Sequence, residues 1–442
     1  MTLRRPTTAA LFALAALSGA IAAQPPDPPA APAASAEEKA RDLFTAGKFD
    51  DALRELQAAV KQNPKLPPAR VTLADMFFKA KQGPAARQNL ETAAAEDPKH
   101  ADVYLLNATV AFGEGRLTDA VLSCQTVLAL AAEPRWDADQ RKRYIREARL
   151  GLAASFERRR DFTAARDQYL AVLADEPKNG PVRARLGTCL FLAGKPDEAF
   201  AEFQAARRDD PAADMPELQM AALHTAQGAA DKAEEWIKRA AAAGPTDGKP
   251  QRTYAGWLLD HGRVAEAQAA VEAAARLDPA SPELAPLRGL YHRYKKEFAA
   301  AEPIFEGLLR QSPANTFAAW NLALTLAESA DKDKVRRAVE TAEAEVRKNP
   351  RVGEAYVVLG WCYYKAGRTD EAEKALANVT QLGALSRDGA YFYARVMADK
   401  QRIEDAVKLL KAAAEASGAY VYQADARALL ADLETRVPPA KK

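Results

Sequence analysis

The side chains of this 442-residue sequence best suited to nucleophilic or metal chemistry are three cysteines and four histidines. The sharpest stretch is WCYYKAGRTDEAEKAL, Trp361 to Leu376, where a thiol stands among aromatic rings ahead of Asp370 and Glu371. A cysteine beside two carboxylates is a catalytic arrangement when a base lies within hydrogen-bond reach. Cys124, Cys189 and Cys362 are spaced too widely for a zinc pattern, and their odd number leaves at least one thiol unpaired within the molecule. His100, His224, His261 and His292 lie 31 residues or more apart, with no third and fourth ligand to complete a metal site. The sequence holds no Gly-rich phosphate loop, no His-Glu-x-x-His and no Gly-x-Ser-x-Gly. The reading of Cys362 therefore depends on the element that carries it.

That element belongs to a repeat. Gly360 precedes Ala372 by twelve residues, and the same spacing of two small residues recurs at Ala40/Ala52, Ala74/Ala86, Ala108/Ala120, Ala153/Ala165, Gly187/Ala199, Ala221/Ala233, Ala255/Ala267, Gly289/Ala301 and Ala394/Ala406. Ala323/Ala338 carries three extra residues, and the total is eleven units. Successive second members are 34 residues apart in eight of ten steps, the others being 45 and 37. Pro64, Pro98, Pro177, Pro211, Pro245, Pro279, Pro313 and Pro350 each follow their unit's second small residue by twelve. Gly47, Gly115, Gly194, Gly228, Gly262 and Gly367 fall seven after the first, where a helix must end. The pattern predicts a helical hairpin: a helix of about fourteen residues, a tight turn, a second helix, and a proline stop. Small residues at the paired positions let the helices approach closely, and stacking of neighbours makes the core continuous. Cys189 and Cys362 then occupy equivalent first-helix places as small packing residues, while Asp370 and Glu371 open a second helix at the positive end of its dipole. The repeats consume nearly all the chain, so the expectation is no enzyme, no cofactor and no metal.

The chain resembles a tetratricopeptide-repeat (TPR) protein. The residues that carry the likeness are Ala355-Tyr356, Leu359-Gly360, Tyr363-Tyr364-Lys365, Gly367, Ala372 and Leu376, and it extends over roughly Ser35 to Ser417. Departures are Arg160, Lys296 and Gln401 at the turn glycine, units three, ten and eleven without the terminal proline, and Glu345 where a small apolar residue is usual. The resemblance implies an all-α, right-handed superhelical solenoid of about eleven repeats, whose first helices line a concave groove for a partner peptide or protein. On that alignment Phe317, Trp320, Trp361, Tyr364, Tyr391 and Arg395 face the groove. Large rigid aromatic residues of this kind commonly dominate binding energy. The family's clamp for a terminal carboxylate is not expected, because Arg41, Asp75 and Thr109 stand where it needs asparagine.

A second surface is basic: Arg141, Lys142, Arg143, Arg146 and Arg149 crowd the unit that follows an insertion near 133–140. They form a possible docking patch for an acidic partner, diluted by Glu133, Asp137, Asp139 and Glu147. The insertion is expected to interrupt the stacking and act as a hinge. At the N-terminus, Arg4 and Arg5 precede the apolar run Ala9 to Ala23, which predicts a signal peptide over 1–23 and export to the periplasm or beyond. Gln24 to Ala34, QPPDPPAAPAA, reads as an extended tether, 35–417 as the solenoid, and 418–442 as a capping helix and tail, with Val421, Ala424, Ala428, Leu429 and Leu433 near helical spacing on the apolar side of that helix. The 62 Lys and Arg against 60 Asp and Glu leave a formal charge of +2, and zero once Arg4 and Arg5 leave with the leader. That balance exerts no global pull on nucleic acid or anionic membranes. The function expected is a non-catalytic scaffold or adaptor of the cell envelope, with an accessory subunit of envelope assembly or polysaccharide export as the alternative. The mature chain is expected to carry no membrane span, and its oligomeric state is open.

Overall fold

The computed structural model describes residues 31–383, 385–415 and 420–436. The expected signal peptide, most of the tether and the last residues of the tail lie outside these. Among the described residues there are 23 helices and no strand. The chain divides into two compact units, one ending at Leu223 and the other beginning at His224. The first holds α1 (Ala31–Thr45), α2 (Phe49–Gln62), α3 (Ala69–Lys79), α4 (Gly83–Glu96), α5 (Ala101–Gly113), α6 (Leu117–Ala131), α7 (Ala138–Arg158), α8 (Phe162–Asp175), α9 (Gly180–Leu192) and α10 (Pro196–Asp209). The division falls within α11 (Pro216–Ala226). The second unit continues with α12 (Ala230–Ala243), α13 (Gly248–Asp260), α14 (Val264–Leu277), α15 (Leu284–Tyr294), α16 (Phe298–Gln311), α17 (Thr316–Ala327), α18 (Lys332–Lys348), α19 (Gly353–Lys365), α20 (Thr369–Leu382), α21 (Arg387–Asp399), α22 (Ile403–Glu415) and α23 (Gln423–Arg436). No helix among the described residues is long and apolar enough to cross a membrane.

Each repeat is a hairpin of an odd-numbered and an even-numbered helix. Both members of every small-residue pair are buried, as close approach requires. Where the first member is glycine, the partner helix presents a bulkier group: a Cβ on Gly187 would lie 2.5 Å from Phe203, and one on Gly289 would lie 2.7 Å from Phe305. Each of the eight spaced prolines stands two residues beyond the last residue of its helix, where its missing N–H costs nothing. The turns reverse through a left-handed residue. At Gly367 (φ 77°) its own N–H donates to the Tyr364 carbonyl and the next N–H to that of Tyr363, satisfying the open carbonyls of α19. Lys81, Arg160, Lys296 and Gln401 hold the same conformation with φ of 59 to 62°, although a side chain there costs about 1–2 kcal/mol. The turn geometry is imposed by the hairpin and does not depend on glycine.

Three sequence expectations need correction. The insertion near 133–140 does not interrupt the stacking: it lengthens α7 to 21 residues, capped by Asp137, which accepts the Gln140 N–H at 2.8 Å, and α7 packs on both α5 and α6. Trp136 is buried edge-on against Tyr144 (4.9 Å) and His100 (5.2 Å), and its indole N–H donates to the Leu130 carbonyl at 2.9 Å. One tryptophan thus converts an insertion into core. The last four residues assigned to the tether, Ala31 to Ala34, are helical, since alanine has the highest helix propensity and Pro32 falls in the first turn, where it is tolerated. The tail helix starts at Gln423, so Val421 precedes it, and the buried face is Ala426, Leu429 and Leu433, with Ala424 and Ala428 exposed.

In both units first helices pack against the first helices of the next repeat, as α3 does on α5, α5 on α7, α15 on α17, α17 on α19 and α19 on α21. In the second unit these contacts run without a break from α13 to α21, and that first-helix layer is the surface on which the candidate site is built.

Candidate functional site

The first-helix layer of the last repeats gathers the aromatic residues singled out from sequence, but most of them are already in contact with one another. Trp361 on α19 stacks on Phe392 of α21 at 4.1 Å, on Tyr364 at 5.2 Å, and lies 5.9 Å from Tyr391. Trp361 is 3% and Tyr391 7% exposed. Phe317 and Trp320 on α17 are partly buried, and the Trp320 indole N–H has no partner among the described residues. At the edge, the Tyr364 hydroxyl donates to Asp399 (2.6 Å) while Arg395 Nε donates to that hydroxyl (3.2 Å).

The group that covers Trp361 and Tyr391 is Tyr422, from the segment before α23. Its ring stacks on Tyr391 at 5.4 Å and 14°, and lies 5.6 Å from Trp361 and 5.2 Å from Phe392. Its hydroxyl donates to Glu328 Oε1 at 2.7 Å, the same oxygen that accepts the Trp361 indole N–H at 2.7 Å, while Lys365 pairs with Oε2 at 2.9 Å. Tyr420, Val421 and Tyr422 are all buried. Trp361 and Tyr391 are consequently not open surfaces: the chain's own segment occupies the place expected of a partner. The sequence signal was the run Tyr-Val-Tyr itself, too apolar for an outward-facing connector.

Beneath this segment lie charges that sequence reading did not find. Arg293 on α15 is 4% exposed; its Nη1 donates to the Asn321 side-chain oxygen, while Nε and Nη2 have no partner among the described residues. Burial pushes the Asp388 carboxyl up to about 6, against the opposing pull of Arg293 and of the backbone N–H groups of Tyr422 and Val421. Its Oδ1 is buried without a partner among the described residues. Burial also raises Glu354 to about 7, although Ser386 donates to it at 3.4 Å. Lys296, held in its left-handed turn, reaches Asp425 at 2.5 Å and sits 5.6 Å above the Tyr422 ring.

Of the basic patch on α7, three members are engaged locally: Arg143 with Asp102 (2.9 Å), Arg146 with Glu176 (3.6 Å) and Arg149 with Gln168 (3.4 Å). Arg141 and Lys142 have no ion pair among the described residues and line an open hollow of about 380 Å³ with Ala138, Ile145 and Asp175. The three thiols are buried and unbonded to one another; burial pushes Cys124 up to about 12, and Cys189 and Cys362 further in the same direction. Cys362 lies in the apolar core with its thiol directed to the Ala323 carbonyl at 3.8 Å, and Asp370 pairs with Lys400 at 2.7 Å, so these two do not share a site. Among the described residues no three His, Cys, Asp or Glu gather as metal ligands.

The chain belongs to the tetratricopeptide repeat family. Two profiles of that family match it, one over residues 43–88 and 77–140, the other over 150–214, 258–316, 328–386 and 363–421. No curated protein matches the sequence. Similar solved structures include yeast Tom70 (14% identity, 91% of this chain and 96% of that one, TM-score 0.37). Others are the Cut9–Hcn1 hetero-tetramer of the APC/C (10%, 96% and 99%, 0.40) and PilW, a type IV pilus biogenesis factor (18%, 48% and 94%, 0.36). At these identities and scores the likenesses say nothing of what the chain binds. The family membership and the all-helical repeat define a TPR solenoid, a fold that generally serves as a non-catalytic scaffold for protein–protein contacts.

Proposed function

We propose that the chain is an exported adaptor of bacterial type that captures a partner protein on the first-helix layer of its last repeats and performs no chemistry of its own. The observation that carries this reading is the burial of Tyr420 to Tyr422 across α19 and α21: this surface accepts a polypeptide segment, with Glu328 and Asp388 ready for its polar groups. Phe317, Trp320, Tyr364 and Arg395 extend the surface beyond the occupied part and supply further aromatic and charged contacts. Arg141 and Lys142 form a lesser, separate point for an acidic partner. The basic and apolar residues from Arg4 to Ala23 support export, and hence a partner in the cell envelope.

The test is a photo-crosslinking residue placed at Phe317 in cells, with exposed Leu382 on α20 as the control position. The expected result is one protein adduct from position 317, absent from 382, recovered with the envelope fraction. Equal adducts from both positions, or a chain retained in the cytoplasm, would refute the reading.

A further inference from the structure

We propose that the Tyr422 site is specific for a segment of the form aromatic–x–aromatic that turns directly into a helix bearing an acidic residue in its first turn, as the Gln423 N–H bonded to the Tyr420 carbonyl shows for the chain's own segment. The chain's own Tyr420-x-Tyr422 with Asp425 then holds the site as a stand-in until such a partner displaces it. The inference rests on the adaptor reading above and names the chemistry of the partner.

Four features of the geometry support it. First, the recognition elements are those of a peptide site: a ring slot between Trp361, Tyr391 and Phe392, and a carboxylate, Glu328, shared between the slot wall and the incoming hydroxyl. Asp388 adds an acceptor facing two consecutive backbone N–H groups. Second, the occupant comes from far along the chain: Glu328 and Tyr422 are 94 residues apart, and Lys296 and Asp425 are 129 apart. Third, the occupant meets its site incompletely. Among the described residues Arg293 has two buried N–H groups and Asp388 one buried oxygen without a partner, a costly condition for a permanent core and one that a better-matched ligand relieves. Fourth, the outer latch is weak: Lys296–Asp425 is a partly exposed pair, worth no more than about 1 kcal/mol. A site held by a self-ligand binds an external one with an affinity lowered by the fraction of time it is open, so weakening the internal contact raises external affinity without adding any contact.

The experiment uses the full chain and a fluorescein-labelled peptide of residues 420–436, read by anisotropy. The wild-type chain is expected to bind weakly. The Tyr422→Ala chain is expected to bind at least about tenfold tighter, because only its internal ligand is damaged. Asp425→Ala in the chain, which leaves the core untouched, is expected to gain up to about fivefold. The same peptide carrying Tyr422→Ala is expected not to bind. The proposal is overturned if neither variant chain, each with native helical circular dichroism, binds the peptide better than the wild type does. Should that happen while both variants still crosslink a partner from position 317, the stand-in falls and the adaptor reading survives; loss of both signals refutes both. A wild-type chain that sediments as a dimer and is split to monomers by the peptide would assign the site to a second copy's tail and overturn the assignment to a partner.

Discussion

Replacing Gly360 with alanine adds one methyl group to the middle of α19, where it would lie 2.5 Å from Leu376 Cγ, 2.9 Å from Cδ2 and 3.1 Å from Cδ1. Leu376 is fully buried and has nowhere to retreat. Overpacking of this kind costs about 1–3 kcal/mol, while the gain in helix propensity over glycine is about 0.8–1.0 kcal/mol. The net expectation is a loss of about 1 kcal/mol. Gly256, in the middle of α13, supplies the control: its added methyl would meet nothing closer than Leu287 at 4.0 Å, so Gly256→Ala is expected to keep the whole propensity gain of about 0.8–1.0 kcal/mol. Urea denaturation followed by far-ultraviolet circular dichroism, with hydrogen exchange of α19 and α20 to localise the effect, should show midpoint shifts of opposite sign. In a Leu376→Ala background the three close contacts are gone, and Gly360→Ala is expected to stabilise. If Gly360→Ala stabilises the wild-type chain as Gly256→Ala does, or still destabilises without the leucine, helix approach is not what fixes the small residue.

Glu354 titrates higher folded than unfolded, so its charge is a penalty absent below about pH 4.5 and complete above about pH 7. Glu354→Gln is therefore expected to gain stability relative to wild type as pH rises through that window, by about 1–3 kcal/mol at its end; thermal melts of both chains at pH 5 and 8 measure it, and an equal difference at both would count against the buried carboxyl. Trp136→Ala is expected to lose about 3–5 kcal/mol in the first unit, read by hydrogen exchange of α6 and α7; free exchange already present in the wild type would restore the hinge. Because burial holds Cys124, Cys189 and Cys362 in the thiol form, iodoacetamide at pH 8 is expected to modify all three only after denaturation, and mass spectrometry of the native reaction should show no adduct.

The hairpins were legible because their determinants are local. A small residue, its partner twelve positions on and a proline after another twelve need no tertiary information, and each lands where the spacing puts it. The same logic explained Cys362 as a packing residue and Asp370 as a residue that opens a second helix, whereas the pairing of Asp370 with Lys400 was not legible. What sequence did not reveal depends on contacts between distant parts of the chain. Alignment put Trp361 and Tyr391 on the correct layer, but the residue that covers them, Tyr422, belongs to a stretch whose helical periodicity was read through Val421 and so misphased. Arg293, Asp388 and Glu354 gave no signal, since a charged residue in a first helix is normally solvated, and their partners, Asn321 for Arg293, the Val421 and Tyr422 backbone for Asp388 and Ser386 for Glu354, lie about 30 residues away in the chain. Lys81 was likewise invisible, because a lysine in a turn looks unremarkable until its φ of 60° is known.

The fit of Phe203 to Gly187 and of Phe305 to Gly289 has a consequence for inheritance and for engineering. Each ring is accommodated by the helix immediately before it, so the lock and its key travel together whenever a hairpin is cut out at its flanking prolines. A crossover inside the turn would set such a ring against a foreign alanine. Duplication, loss and grafting of segments in this chain are thus expected to respect the proline borders, and a library that shuffles whole hairpins should yield far more folded proteins than one that recombines single helices.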